Sequence, residues 1–131
     1  MSERNKAVVR QYAEAFSRGD FEAIRTLCTP DFVVSGVMGK GDFEMALKIW
    51  NALRHAFGLQ LEIEDLIAEG DRVAARFLES GTFRQPFFEK QPTGKSYRVT
   101  AMEWFACRDG KIAERWGARD SASIFKQLGA E

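Results

Sequence analysis

Apolar positions recur with a period near 3.6 along the first half of the chain and with a period of two along the second. Val9, Tyr12, Ala13 and Phe16 stand at i, i+3, i+4 and i+7 and predict one buried stripe on a helix over about residues 3–18. Gly19 can take the left-handed conformation that stops such a helix. Asp20 can then cap a short second helix, because its carboxylate accepts from the free N–H groups of a first turn. Phe21, Ile24, Leu27 and Cys28 supply that helix's inner face, and Thr29-Pro30 ends it. A short strand is expected over 31–37, then a flexible connection at Gly36, Gly39 and Gly41. Asp42 caps a third helix reaching residue 57, apolar over more than half its circumference and so expected to be buried on two sides.

Beyond Leu59 the alternation predicts strands at 60–69, 72–84, 95–107 and 111–118, and a last helix over 121–128 that stops at Gly129. Gly70-Asp71 and Asp109-Gly110 read as tight hairpin turns, the second with the strong Asp-Gly signal for a type I′ turn. Helices first and strands afterwards indicate an α+β domain, with one antiparallel sheet covered by three N-terminal helices around an apolar pocket. No linker or repeat divides residues 1–131, which read as one domain of ordinary size.

The Asp109-Gly110 hairpin sets an expected register. A two-residue loop pairs Arg108 with Lys111, and directly paired residues share a sheet face. One face then carries Val99, Ala101, Glu103, Phe105, Cys107, Ile112, Glu114, Trp116 and Ala118, with Asp120 continuing that parity if the strand runs on. The other carries Arg98, Thr100, Met102, Trp104, Ala106, Ala113, Arg115 and Gly117. The first set is more apolar and is placed inward, so Glu103, Glu114 and Asp120 point toward the interior. An inward carboxylate is costly unless paired or wet, and a cavity would account for all three. Met102 and Trp104 on the outer face suggest a homodimer contact.

Charge narrows the function classes. Lys+Arg and Asp+Glu are 19 each, a balance that argues against a nucleic-acid surface. The charged N-terminus has no apolar core, and no apolar run approaches the ~20 residues that span a bilayer, so neither a secretory leader nor a membrane segment is expected. Cys28 and Cys107 lie far apart and suggest no disulfide framework, which makes a reducing cytoplasm the default compartment. With His55 they lack metal-ligand spacing; His55 reads as a surface or capping residue near the end of the third helix. The stretch from Gly36 to Gly41 lacks the spacing and the Ser/Thr of a phosphate loop.

The segment AFGLQLEIEDLIAEGDRVAARF, Gly81-Thr82, Pro92-Thr93-Gly94-Lys95, Asp109-Gly110-Lys111-Ile112, Glu114, Trp116, Asp120 and Gln127-Leu128-Gly129 resemble the SnoaL-like polyketide cyclases, also called ester cyclases, of the nuclear-transport-factor-2-like fold. Gly19-Asp20-Phe21 and Pro30-Asp31-Phe32 fit the same pattern. The resemblance implies a cone-shaped curved sheet (an α+β barrel) closed by helices, and a homo-oligomeric enzyme that uses no cofactor. It implies intramolecular aldol closure of an aromatic polyketide ester, with Asp120 in the position of the acid/base. Two positions depart from the family: Phe83 stands where many relatives have His, and Ser35 where many have a stronger polar group. Both make the expected pocket drier.

Asp120 has two readings. As a base it would take a proton from carbon next to a carbonyl, and burial among Phe105, Trp116 and Phe83 would raise its pKa toward a useful range. As the residue before Ser121-Ala122-Ser123 it is also a natural N-cap, which favours the charged form. Glu103 and Glu114 could bind substrate or waters, or pair with Arg76 or another inward arginine. Tyr12, Phe16, Trp50, Phe83, Phe105 and Trp116, with Ser35, are candidate walls for a small apolar or aromatic molecule. An isomerase, dehydratase or hydrolase, or a non-catalytic binding module, would be compatible with the same set.

Overall fold

The computed structural model describes residues 2–131. Helix α1 runs over Ser2–Ser17, and its predicted stripe of Val9, Tyr12, Ala13 and Phe16 is buried. Gly19 takes a positive φ of 76° at its end, as a left-handed stop requires. Asp20 caps α2 (Phe21–Leu27) through a bond from Ala23 N, and Asp42 caps α3 (Phe43–Phe57) through one from Met45 N. Each such bond satisfies a donor the helix cannot satisfy itself, a contribution of about 1 kcal/mol.

Strand β1 (Cys28–Gly36) starts earlier than predicted: Cys28 opens the strand instead of closing the helix. The glycine-rich connection is partly ordered, because β2 (Gly39–Gly41) folds back antiparallel onto β1. Then come β3 (Gln60–Glu69), β4 (Arg72–Thr82), β5 (Ser96–Arg108) and β6 (Lys111–Arg119), and α4 over Ser121–Leu128. The sheet is curved, open and six-stranded, in the order β2-β1-β6-β5-β4-β3. All its pairings are antiparallel except β1 with β6, which run parallel.

α1 packs across β3, β4 and β6, α3 lies against β1 and β4, and α4 lies against β5. The inner layer is aromatic. Trp50 of α3 makes near-perpendicular or tilted contacts with Tyr12, Phe16, Phe21 and Phe43, at centroid distances of 5.6–6.2 Å. Such pairs contribute roughly 0.5–1.5 kcal/mol each beyond the area they bury. On β4 and β5, Phe77 pairs with Ala101 and Val73 with Phe105, all fully buried. Phe43, Ala46, Trp50, Ala56 and Phe57 of α3 are buried. Met45, Ile49 and Leu53 remain half-buried because they face a void between α3 and the sheet.

Candidate functional site

The void is a cavity of about 150 Å³. Phe16 of α1, Met45, Ala46, Ile49, Trp50, Leu53 and Phe57 of α3, Ile124 and Phe125 of α4, and Val37 and Met38 of the β1–β2 turn make its apolar walls. Its charged side chains are Glu79, Glu103, Arg115 and Arg119, all from the sheet, with Tyr97 beside them. A cavity of this size holds about one benzene-sized ring.

The register of β6 decides who stands there. Cys107 pairs with Ile112, but Ala106 pairs with Glu114, so Ala113 is an extra residue in a β-bulge. One inserted residue exchanges the two faces for the rest of the strand. Arg115, Gly117 and Arg119 therefore stand opposite the inward Phe105, Glu103 and Ala101. Glu114, Trp116 and Ala118, expected inside, lie on the outer face, and Trp116 pairs there with Trp104. The bulge brings two guanidinium groups to Glu103 where the regular register would have brought another carboxylate.

Glu103 is saturated. Arg115 donates through Nε at 3.0 Å and Nη2 at 2.8 Å, Arg119 Nη2 at 2.8 Å, and the Tyr12 hydroxyl at 3.1 Å. Burial alone would raise its pKa, but Arg115 and Arg119 outweigh it and bring it down to about 2. Burial and the Glu103 charge together hold the Tyr12 phenol protonated well above its ordinary range. Gly117 makes the arrangement possible: a Cβ there would lie 2.7–3.0 Å from the Arg115 guanidinium.

Glu79 is different. Its Oε2 accepts from the Tyr97 hydroxyl at 2.8 Å. Its Oε1 forms a buried ion pair with Arg119 Nε at 2.8 Å. Burial raises the Glu79 pKa, with the Glu103 charge adding to it, against the lowering effects of Arg119 and Tyr97. Gly81 admits the Tyr97 ring, since a Cβ there would lie 2.9 Å from the ring and 3.0 Å from Phe57.

A family model for SnoaL-like polyketide cyclases matches residues 6–128. The chain belongs to the SnoaL-like polyketide cyclase family. Among solved structures, IdmH from Streptomyces antibioticus, assigned as a polyketide cyclase, is 28% identical with a TM-score of 0.85, over 96% of this chain and 99% of that one. AclR from Streptomyces galilaeus, assigned as a hydroxylase, is also 28% identical, with a TM-score of 0.89 over 98% of this chain and 83% of that one. A SnoaL-like protein from Jannaschia sp. CCS1 shares the fold at a TM-score of 0.90 and 21% identity, over 100% of this chain and 95% of that one. No match was found among curated proteins.

Of the residues singled out in this SnoaL-like sequence, Phe16, Trp50 and Glu103 line the cavity. Tyr12 stands behind Glu103 as its hydrogen-bond donor. Phe105 and Phe83 are fully buried core residues, Phe105 against Tyr12 and Phe83 against Phe57. Ser35 pairs with Trp116 on the outer side; it offers its backbone carbonyl, 3.5 Å from Arg115 Nη1. Asp120 follows the end of β6 and caps α4, its Oδ1 accepting from Ser123 N at 3.0 Å, with the side chain exposed. Arg76, a suggested partner for an inward carboxylate, is on the outer face and half-exposed beside Glu64.

Glu79, Tyr97, Arg115 and Arg119 were not singled out from the sequence. Glu79 had a signal, because Val73, Ala75, Phe77 and Glu79 share one parity on β4 and a carboxylate ends that apolar row. Tyr97 likewise shares parity with Ala101 and Glu103. The arginines had none, since the bulge that turns them inward leaves no mark in the local pattern.

Other chemistry is sparse. Burial pushes the Cys28 thiol up to about 12, and Cys107 upward too, so both are protonated and poorly nucleophilic. His55 is exposed in the last turn of α3. Among the described residues no cluster of three or more His, Cys, Asp or Glu could hold a metal, and no helix is long and apolar enough to cross a membrane.

Proposed function

We propose that the chain is a cofactor-independent acid/base enzyme acting on a small, largely apolar carbonyl compound, with intramolecular aldol cyclisation as its leading chemistry. One observation carries this reading: an apolar cavity whose only charged lining among the described residues is a carboxylate–arginine cluster on a single wall. Apolar walls would hold a ring or folded chain near its reactive shape, and one polar wall would orient its oxygen and exchange its protons. Ring closure needs no electron acceptor, because the enolate carbon attacks a second carbonyl of the same molecule and the proton returns to the new alkoxide. We assign the acid/base role to Asp120, supported by its resemblance to the family's aspartate after the last strand and by its neighbours Arg119 and Ser121, which line the cavity. To serve, its carboxylate must leave the α4 cap.

The outer face supports a homodimer as part of the same proposal. Trp104, Trp116 and Met102 are exposed there at 48%, 39% and 54%, an apolar patch that a second copy would cover. A monomer in sedimentation at micromolar concentration would reject it. The two buried free thiols suit a cytoplasmic location.

The test is turnover of a single-ring aromatic polyketide methyl ester, followed as conversion to its cyclised isomer of equal mass. The expected result is faster closure with protein than without, lowered about 10²–10⁴-fold by Asp120→Asn with the fold unchanged. Unchanged turnover in that variant rejects the role of Asp120. Ligand retained without conversion, seen by native mass spectrometry, would instead identify a binding module, a reading the capped and exposed Asp120 favours.

A further inference from the structure

We infer that the ligand of this cavity is a ring carrying an alkyl chain, the ring held deep among aromatic side chains and the chain leaving over the β1–β2 turn, where Val37 and Met38 hold it. This rests on the cavity reading above and names the class of compound the cavity takes. Val37 and Met38 are the two residues of the tight loop closed by the Gly36–Gly39 pair. Such loop tips ordinarily carry Gly, Asn, Asp or Ser, which form turns without exposing apolar surface. Here two large apolar side chains stand 55% and 48% exposed. Of the exposed large apolar side chains among the described residues, these two alone line the cavity, and so they mark its mouth.

The lining changes its chemistry with depth. Phe16, Trp50 and Phe57 are buried. Met45, Ile49 and Leu53, one row along α3 at i, i+4 and i+8, are half-buried. Gly41 of β2 lets Met45 join this row to the turn, since a Cβ there would collide with the Met45 sulfur. An aromatic floor thus gives way to an aliphatic collar toward the turn. One ring fills a void of about 150 Å³, so any further part of the ligand must lie along the collar. The aliphatic side chains there can meet a chain in many conformations, and the unbranched thioethers of Met38 and Met45 adapt to its path. A chain lying over Val37 and Met38 would also take their apolar surface out of water.

The test compares the binding of phenol, followed by ligand-observed NMR, with that of 4-hexylphenol, followed by calorimetry. A half-exposed collar should supply about half the free energy of full burial, roughly twofold in affinity per methylene and so about 60-fold from phenol to 4-hexylphenol. Val37→Ser with Met38→Ser changes only exposed side chains. The double variant should cut the gain to under about 10-fold while leaving the affinity for phenol unchanged. Phe88→Ser, at an exposed aromatic outside the cavity lining, should leave both affinities unchanged. A gain that the double variant leaves intact overturns the inference and leaves the acid/base reading standing, as does an equal weakening of both phenols. A gain lost in Phe88→Ser places the chain elsewhere and overturns it too. Wild type that binds neither phenol overturns both this inference and the cavity reading on which it rests.

Discussion

Glu79 and Glu103 stand on neighbouring strands at the same cavity wall, and their surroundings set them apart. Glu103 accepts four hydrogen bonds from three side chains and has its pKa lowered to about 2. Glu79 accepts one from Tyr97, ion-pairs with Arg119 through its other oxygen, and has its pKa raised. Both are buried and both lie beside Arg119. The difference is the count and aim of donors, not depth. A carboxylate with every lone pair engaged is held charged against burial, whereas one with fewer donors is pushed toward its neutral form.

The contrast can be broken in order of size. Removing the saturated carboxylate with Glu103→Ala strands the buried Arg115, half the pairing of Arg119, and the Tyr12 hydroxyl, and should cost about 3–5 kcal/mol in urea unfolding. A loss under about 1 kcal/mol would show that Glu103 is not structural.

Acid should separate the two groups next. The Glu103 pKa is lowered on folding, so its contribution is present above the ordinary 4.5 and is lost as pH falls toward about 2, a swing of roughly 3 kcal/mol. The Glu79 pKa is raised, so its contribution is present below 4.5 and is lost as pH rises through its folded value. Urea unfolding against pH should therefore show a steep acid decline in wild type, flattened in Glu103→Gln and kept in Glu79→Gln. Equal acid slopes in the two variants would contradict the distinction.

Gly117→Ala is smaller. Its Cβ would crowd the Arg115 guanidinium and loosen the grip on Glu103, at about 1–3 kcal/mol by chemical denaturation. Least of all, Asp120→Ala should cost about 1 kcal/mol of thermal stability as a lost cap, with Asp120→Asn nearly neutral. Equal losses in both would mean that the carboxylate's charge matters beyond the cap bond.

Much of this molecule follows from local pattern. Periodicity and capping residues place the helices to within a residue or two, because Asp20, Asp42 and Asp120 each satisfy first-turn donors within three residues of chain. The Asp109-Gly110 turn is equally local, since both its positions carry positive φ, at 52° and 76°. Inward Glu103 follows from strand alternation, and so would Glu79 have done. The C-terminal motifs also suffice to indicate the family that the match over residues 6–128 establishes.

Three things waited for the tertiary structure. The bulge at Ala113 exchanged Glu114 and Trp116 for Arg115 and Arg119 at the cavity wall. An inserted residue of this kind is favoured by what it brings together across strands, here two cations against Glu103, and nothing within a few residues of Ala113 reports that energy. The parallel pairing of β1 with β6 joins segments some 80 residues apart and turns Ser35 away from the cavity. The ion pair of Glu79 with Arg119 joins β4 to β6 and exists only as a distance between their side chains. Local sequence determines which residues can stop a helix or alternate along a strand, because those interactions close within one turn or one pleat. Which charged groups share a buried wall is set by long-range packing, where the cost of an unpaired charge selects the register.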